Sequence, residues 1–177
     1  MTMILPPLFQ RLLDEQVEFV IVGGLAAVAL GVPYVTNDVD ICYNPDPANI
    51  TRLASALAPL HPRLRVEGLS DEEARLLPFQ FDERTLRQSA ILTLQTDTAT
   101  LDLMSSVIGV GPYLQVRQAA IELEAFGFRL AVLDLPGLLV SKRAAGRTKD
   151  LLALPQIEGT LRLREQHPPK PTPPTEQ

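Results

Sequence analysis

The chain has 177 residues, 46% of them hydrophobic and 21% charged, with a formal net charge of −5 and a pI of about 5.0. That length gives roughly one domain with room for an apolar core, and the composition excludes a wholly disordered chain. The acidic balance excludes a broad basic glove for nucleic acid, though not a local cationic patch. A lone cysteine, Cys42, excludes an internal disulfide and fits a reducing cytosol. His61 and His167 are too far apart in sequence to suggest a zinc site. No stretch approaches the roughly 18 apolar residues of a membrane span, and the first ten residues have no basic segment ahead of their apolar ones. The expectation is a soluble, cytoplasmic domain with no membrane partner.

In chain order, Ile4 to Glu15 carries Leu5, Leu8, Leu12 and Leu13 at helical spacing. Val17 to Val22 is a short β-branched apolar run that predicts a buried strand. It leads into Gly23-Gly24 and a small Ala-rich helix, Leu25 to Leu30, closed by Gly31 and Pro33. Asp38 to Tyr43 predicts the next strand. Asp46-Pro47 opens a helix to about Ala58, with Asp46 as N-cap and Pro47 in the first turn. Ser70-Asp71-Glu72-Glu73 has the form of a capping box. Ile91 to Thr96 and Thr98 to Met104 alternate as two antiparallel strands joined near Asp97. A helix over Tyr113 to Ala119 follows, then a hairpin of Ile121 to Glu124 and Phe128 to Leu133. Pro136 starts a helix that Gly146 stops, and Thr148 caps another that Pro155 interrupts. Five of the last ten residues are proline, which predicts a disordered tail over 166–177 after one domain over 1–165. The fold class expected is α/β, a mixed sheet flanked by helices.

The order strand, Gly-Gly, helix, then Asp-x-Asp on the next strand carries chemical meaning. Gly23 and Gly24 let backbone approach a ligand closely, and the helix behind them offers amides to an anion. The period of two in Asp38-Val39-Asp40 puts both carboxylates on one face, roughly 7 Å apart at their β-carbons. Such a pair suits Mg²⁺, which takes a few carboxylates together with phosphate oxygens and water. Asp102 is a lone acid in the apolar run Leu101 to Met104, and an unpaired buried carboxylate is costly, so a cation or a cleft is its natural neighbour. Each feature also has a plain structural reading: a turn at Gly23-Gly24, an edge strand with solvated side chains at Asp38 and Asp40, and a solvent-facing acid at Asp102. Cys42 is in phase with the two acids and reads either as a cleft residue or as a packed small hydrophobe. His61 reads as an exposed loop residue, and Tyr113 as a core aromatic or a cleft one.

The segment Val20 to Ala27, Gly31 and Thr36 to Ile41 resembles the active-site segment of the nucleotidyltransferase (polymerase-β-like) superfamily. Leu133 to Asp150 is similar to a segment of its AbiEii-type branch, which includes toxin components of toxin–antitoxin and phage-defence systems. The resemblance spans most of residues 17 to 155. It implies a nucleotidyltransferase that passes an NMP from an NTP to a hydroxyl acceptor such as tRNA or protein, with a cognate antitoxin as a further partner. It also implies roles for residues: Gly23, Gly24, Thr36, Lys142 and Lys149 toward the nucleotide, Asp38 and Asp40 as Mg²⁺ ligands, and Asp102 as the third acid that deprotonates the acceptor. The branch commonly has Arg-x-Thr-x-Asp, and here the Arg place is Tyr34. That change removes a cation and supplies a ring able to stack on a base.

The run from Ser141 to Lys149 gathers cations in an acidic chain. Lys142 and Lys149 would neutralise phosphate charge under one reading. Under the other, Lys142 and Arg143 only offset the helix dipole before Gly146. The competing functional reading is a nucleotide- or protein-binding module of the same fold whose catalysis has eroded. A dinucleotide site is disfavoured, because Gly23, Gly24 and Gly31 do not match G-x-G-x-x-G.

Overall fold

The computed structural model describes residues 3 to 166. The expected Pro-rich tail therefore lies, from residue 167 onward, outside the described residues. The elements run α1 (Leu5–Asp14), β1 (Phe19–Val22), α2 (Gly23–Ala29), β2 (Asp38–Tyr43), α3 (Pro47–Leu57), β3 (Arg63–Leu64), α4 (Asp71–Arg75), α5 (Glu83–Gln88) and β4 (Ile91–Gln95). They continue with β5 (Thr100–Met104), β6 (Ser106–Val107), β7 (Gly111–Pro112), α6 (Tyr113–Gln118), β8 (Ala120–Ala125), β9 (Phe128–Leu133), α7 (Leu135–Ala145) and α8 (Thr148–Gln166).

Seven strands form one mixed sheet in the order β3-β4-β5-β2-β1-β9-β8. The β2–β5 and β1–β9 pairs are parallel and the others antiparallel. β1 is buried along its whole length, as its unbroken Phe-Val-Ile-Val sequence requires of a central strand. β2, β4 and β5 alternate instead: Val39, Ile41, Leu92, Leu94, Leu101 and Leu103 are buried, while Asp38, Asp40, Thr93 and Asp102 are only half-buried. These strands thus present one face to the core and lay a polar stripe on the other. β2 lies between β5 and β1, so the edge-strand reading of Asp38 and Asp40 is overturned.

Local chemistry sets the helix boundaries. Asp46 accepts a hydrogen bond from the Ala48 amide at 2.9 Å ahead of α3. Ser70 and Glu73 complete the expected capping box of α4. Asp134 accepts from the Gly137 amide at 2.7 Å and starts α7, and Gly146, in the left-handed region at φ +63°, ends it. The expected break at Pro155 does not occur: α8 is one helix through it. Pro155 is exposed, so the carbonyl that loses its amide partner can turn to water. Helix α5 is an element the sequence reading left out, although Asp82 caps it by accepting the Thr85 amide at 2.8 Å.

Phe9 of α1 is fully buried and stacks 6.5 Å from Phe19 and 6.0 Å from Phe126, with Phe128 edge-on at 6.0 Å. This cluster ties α1 to β1 and to the β8–β9 turn, and anchors the strand from which the Gly23 turn leaves. Tyr113 is a core aromatic at 5% exposure, Cys42 is fully buried as a packed hydrophobe, and His61 is exposed with its Nδ1 2.6 Å from Asp97. No described helix is long and apolar enough to cross a membrane.

Candidate functional site

Parallel pairing of β2 with β5 sets Asp40 directly opposite Asp102. On the far side of β5, Thr93 of β4 stands opposite Asp102, and on the near side Val22 of β1 stands opposite Asp40. Val22, Asp40, Asp102 and Thr93 therefore form one row across four strands, each step about 4.8 Å. Two carboxylates sit as neighbours in that row. The Asp40 pKa is pushed up to about 6, first by burial and then by the charges of Asp38 and Asp102. The Gly24 amide, donating to Asp40 Oδ2 at 3.3 Å, and the charge of Lys149 oppose that rise. On Asp102, Oδ1 is buried and has no hydrogen-bond partner. Asp38 is better served: the Thr36 hydroxyl donates to its Oδ1 at 2.6 Å.

The glycine turn is shaped around these acids. Gly23 has φ +61°, and a β-carbon there would stand 2.0 Å from Asp40 Oδ2. A β-carbon on Gly24 would stand 2.6 Å from the Thr36 hydroxyl oxygen. The turn reading and the cleft reading of Gly23-Gly24 are thus both served, because the same absence of side chain that makes the turn lets the backbone lie against the carboxylates.

All eight residues singled out from the sequence line one cavity of about 490 Å³: Gly23, Gly24 and Thr36, the acids Asp38, Asp40 and Asp102, and the cations Lys142 and Lys149. The cations are not equivalent. Lys142 is buried, its Nζ 3.2 Å from Asp150 Oδ1 and 4.9 Å from the centre of the Tyr34 ring. Arg147 reaches the other oxygen of the same carboxylate, its Nε 2.5 Å from Asp150 Oδ2. Burial works to raise the Asp150 pKa, but the hydrogen bonds from Arg147 and Lys142 outweigh it and hold it below the usual carboxylate value. Lys149 is exposed. The sequence reading did not single out Asp150 as partner to Lys142. An acid eight residues beyond a lysine, across a Gly-stopped helix end, was the only available signal.

The donor set suits a hard cation. Carboxylate oxygens are what Mg²⁺ takes, Asp102 offers an oxygen with no other partner, and Asp40 carries a charge its surroundings disfavour. Among the described residues no three His, Cys, Asp or Glu side chains are already gathered closely enough to hold a metal ion. Three-way coordination by Asp38, Asp40 and Asp102 thus requires the side chains to close in.

No protein-family model matches the chain, and no curated protein is significantly similar to it. Solved structures are similar in fold. The lincosamide antibiotic adenylyltransferase LnuA, in its lincomycin-bound crystal structure, aligns with 90% of this chain and 99% of its own at TM-score 0.59 and 11% identity. ANT(2″)-Ia, in complex with adenylyl-2″-tobramycin, aligns with 90% of this chain and 92% of its own at TM-score 0.54 and 13% identity. TM1012 from Thermotoga maritima, at 18% identity over 92% of this chain and 89% of its own, reaches a TM-score of only 0.49. At these identities the likeness establishes the architecture and nothing finer. The seven-stranded mixed sheet flanked by helices is a nucleotidyltransferase-like fold.

Proposed function

We propose that this chain is an Mg²⁺-dependent nucleotidyltransferase that passes a nucleoside monophosphate from an NTP to a hydroxyl acceptor. The observation that carries the reading is the pairing of Asp40 with Asp102 across parallel strands, in a cavity that Lys142, Arg147 and Lys149 also line. Asp38 and Asp40 would hold the cation, with Asp102 as third ligand. Bound Mg²⁺ would supply positive charge to the phosphate oxygens and to the carboxylates themselves. Asp102, which lines the cavity, takes the proton from the acceptor hydroxyl. The hydroxyl oxygen bonds to the α-phosphorus, the α–β bridging bond breaks, and pyrophosphate leaves on the side of Lys149 and Arg147. Gly23, Gly24 and Thr36 admit the phosphates against backbone.

The AbiEii-type resemblance adds finer readings: a tRNA or protein acceptor, a cognate antitoxin, and a toxin or phage-defence role in the cytoplasm. These rest on sequence resemblance alone. The test is incubation of the full chain with Mg²⁺ and each α-labelled NTP, with total RNA, total protein and a small-molecule extract in separate arms. Label is expected to transfer with at least one NTP, and Asp40→Asn is expected to abolish it. Transfer at the wild-type rate by that variant would contradict the assignment.

A second reading, a catalytically eroded nucleotide- or protein-binding module, is favoured by two observations. The Lys142 charge is spent on Asp150, and Tyr34 occupies the place where the branch has Arg. Calorimetric NTP binding that depends on Mg²⁺ but yields no turnover with any acceptor would support it.

A further inference from the structure

Charge is partitioned in the cleft by element. Every lining cation, Lys142, Arg147 and Lys149, comes from α7 or from the start of α8 and the turn before it. A second wall, built by β4, β5 and the β6–β7 hairpin, contributes Ile91, Met104, Val107 and Ile108 with the hydroxyls of Thr93 and Ser106, and its single charge is Asp102. Ile91 and Ile108 are 63% and 61% exposed, so two large aliphatic side chains stand open beside the carboxylates.

The same wall runs on beyond the cleft. A second depression of about 530 Å³ shares Ile91, Val107 and Ile108 with it and extends over residues 106–112 and Ala90. No charged residue lines this depression. Its wall is fixed: a β-carbon on Gly109 would stand 2.7 Å from Ala144 Cβ and 3.0 Å from the Val140 carbonyl, so the hairpin lies directly on α7. At another side of the cleft, a polar recess of about 580 Å³ next to Tyr34 and Thr36 carries Arg65 and Lys149. Phosphate charge thus has cationic partners in this recess, while the lining of the trough holds none.

We propose that the acceptor is an uncharged small molecule with an apolar face, which lies in this trough and presents its hydroxyl to Asp102. The inference rests on the reading of the site as a nucleotidyltransferase and narrows its substrate class. A polyanion binds through one Lys or Arg for each phosphate it contacts, and this wall has neither, while Asp102 repels it. The step needs no further reactant: the acceptor O–H gives its proton to Asp102, the new P–O bond forms, and the α–β P–O bond breaks as pyrophosphate departs.

Two measurements on the full chain test this. Nile red, a neutral apolar fluorophore, reads the trough without NTP or metal. Its binding is expected to weaken at least tenfold in the Ile91→Asp/Ile108→Asp double variant, to persist in Leu152→Asp on α8, where the side chain is 71% exposed, and to resist total tRNA. In the second, α-labelled NTP and Mg²⁺ are offered together with total RNA, total protein and a butanol extract freed of both. Label is expected in a new phosphatase-resistant small-molecule product of the extract arm, and at least tenfold less of it with the double variant. Label in RNA or in protein overturns the acceptor assignment alone, as does Nile red binding that ignores the two substitutions or yields to tRNA. Absence of label from every arm overturns the transferase reading and the acceptor with it, so the two failures are distinct.

Discussion

Replacing Asp40 with Asn is expected to make the metal-free protein more stable at neutral and alkaline pH while removing its chemistry. The wild-type carboxyl is held up from 3.8 to about 6 by burial and by Asp38 and Asp102, so the folded state favours the protonated form. For an acid raised in this way, stability is fullest below pH 4 and is lost as pH climbs through 6. The difference corresponds to about 3 kcal/mol once Asp40 is fully ionised. Asn has nearly the same shape, its side-chain oxygen can still accept from the Gly24 amide, and it carries no charge. At pH 8 in EDTA, Asp40→Asn should therefore melt higher than wild type by about 6 to 12 °C for a chain of this size. The gap should shrink toward zero as the pH approaches 4. Calorimetric scans across pH 4 to 8 measure both. A variant that melts no higher than wild type at pH 8, or whose advantage does not depend on pH, refutes the claim that Asp40 sits under uncompensated negative charge.

Asp102→Asn should lower transfer by about 10²- to 10⁴-fold while NTP binding, read by calorimetry, stays within a few-fold; a loss below tenfold removes Asp102 from proton transfer. Gly23→Ala puts a side chain at φ +61° and 2.0 Å from Asp40 Oδ2, and should cost about 1 to 3 kcal/mol in urea unfolding, with an unchanged midpoint counting against the described turn. Asp150→Ala strips the buried Lys142 of its carboxylate and should destabilise by about 3 to 5 kcal/mol in the same assay, whereas a change under 1 kcal/mol would mean the pair is not buried as described.

How much of this was readable in advance follows the range of the interactions. Asp46, Ser70 and Gly146 act on neighbours a few residues away, and the helix boundaries they set are written in the chain. The two-residue period of Asp38-Val39-Asp40 equally fixes which face both acids take. Asp102 stood out as an anomaly, a lone acid among apolar residues, but its register opposite Asp40 depends on pairing across a 62-residue separation that no local pattern encodes. The Lys142–Asp150 pair and the Tyr34 contact come from the packing of α7 against α8 and the β2 approach, so a run of cations in sequence read as more available charge than the fold leaves free. Strands β6 and β7 have two residues each, too few to show any period, and with them the uncharged trough beside the cleft stayed hidden. Pro155 misled because its cost falls on a carbonyl exposed to water.

The most direct test is a crystal structure of the full chain soaked with Mn²⁺ and a non-hydrolysable NTP analogue, read by anomalous scattering. The account requires a peak within coordination distance of the Asp38, Asp40 and Asp102 carboxylates and of the analogue's phosphate oxygens. An analogue bound elsewhere, or the three carboxylates pointing apart with no metal peak among them, would contradict it.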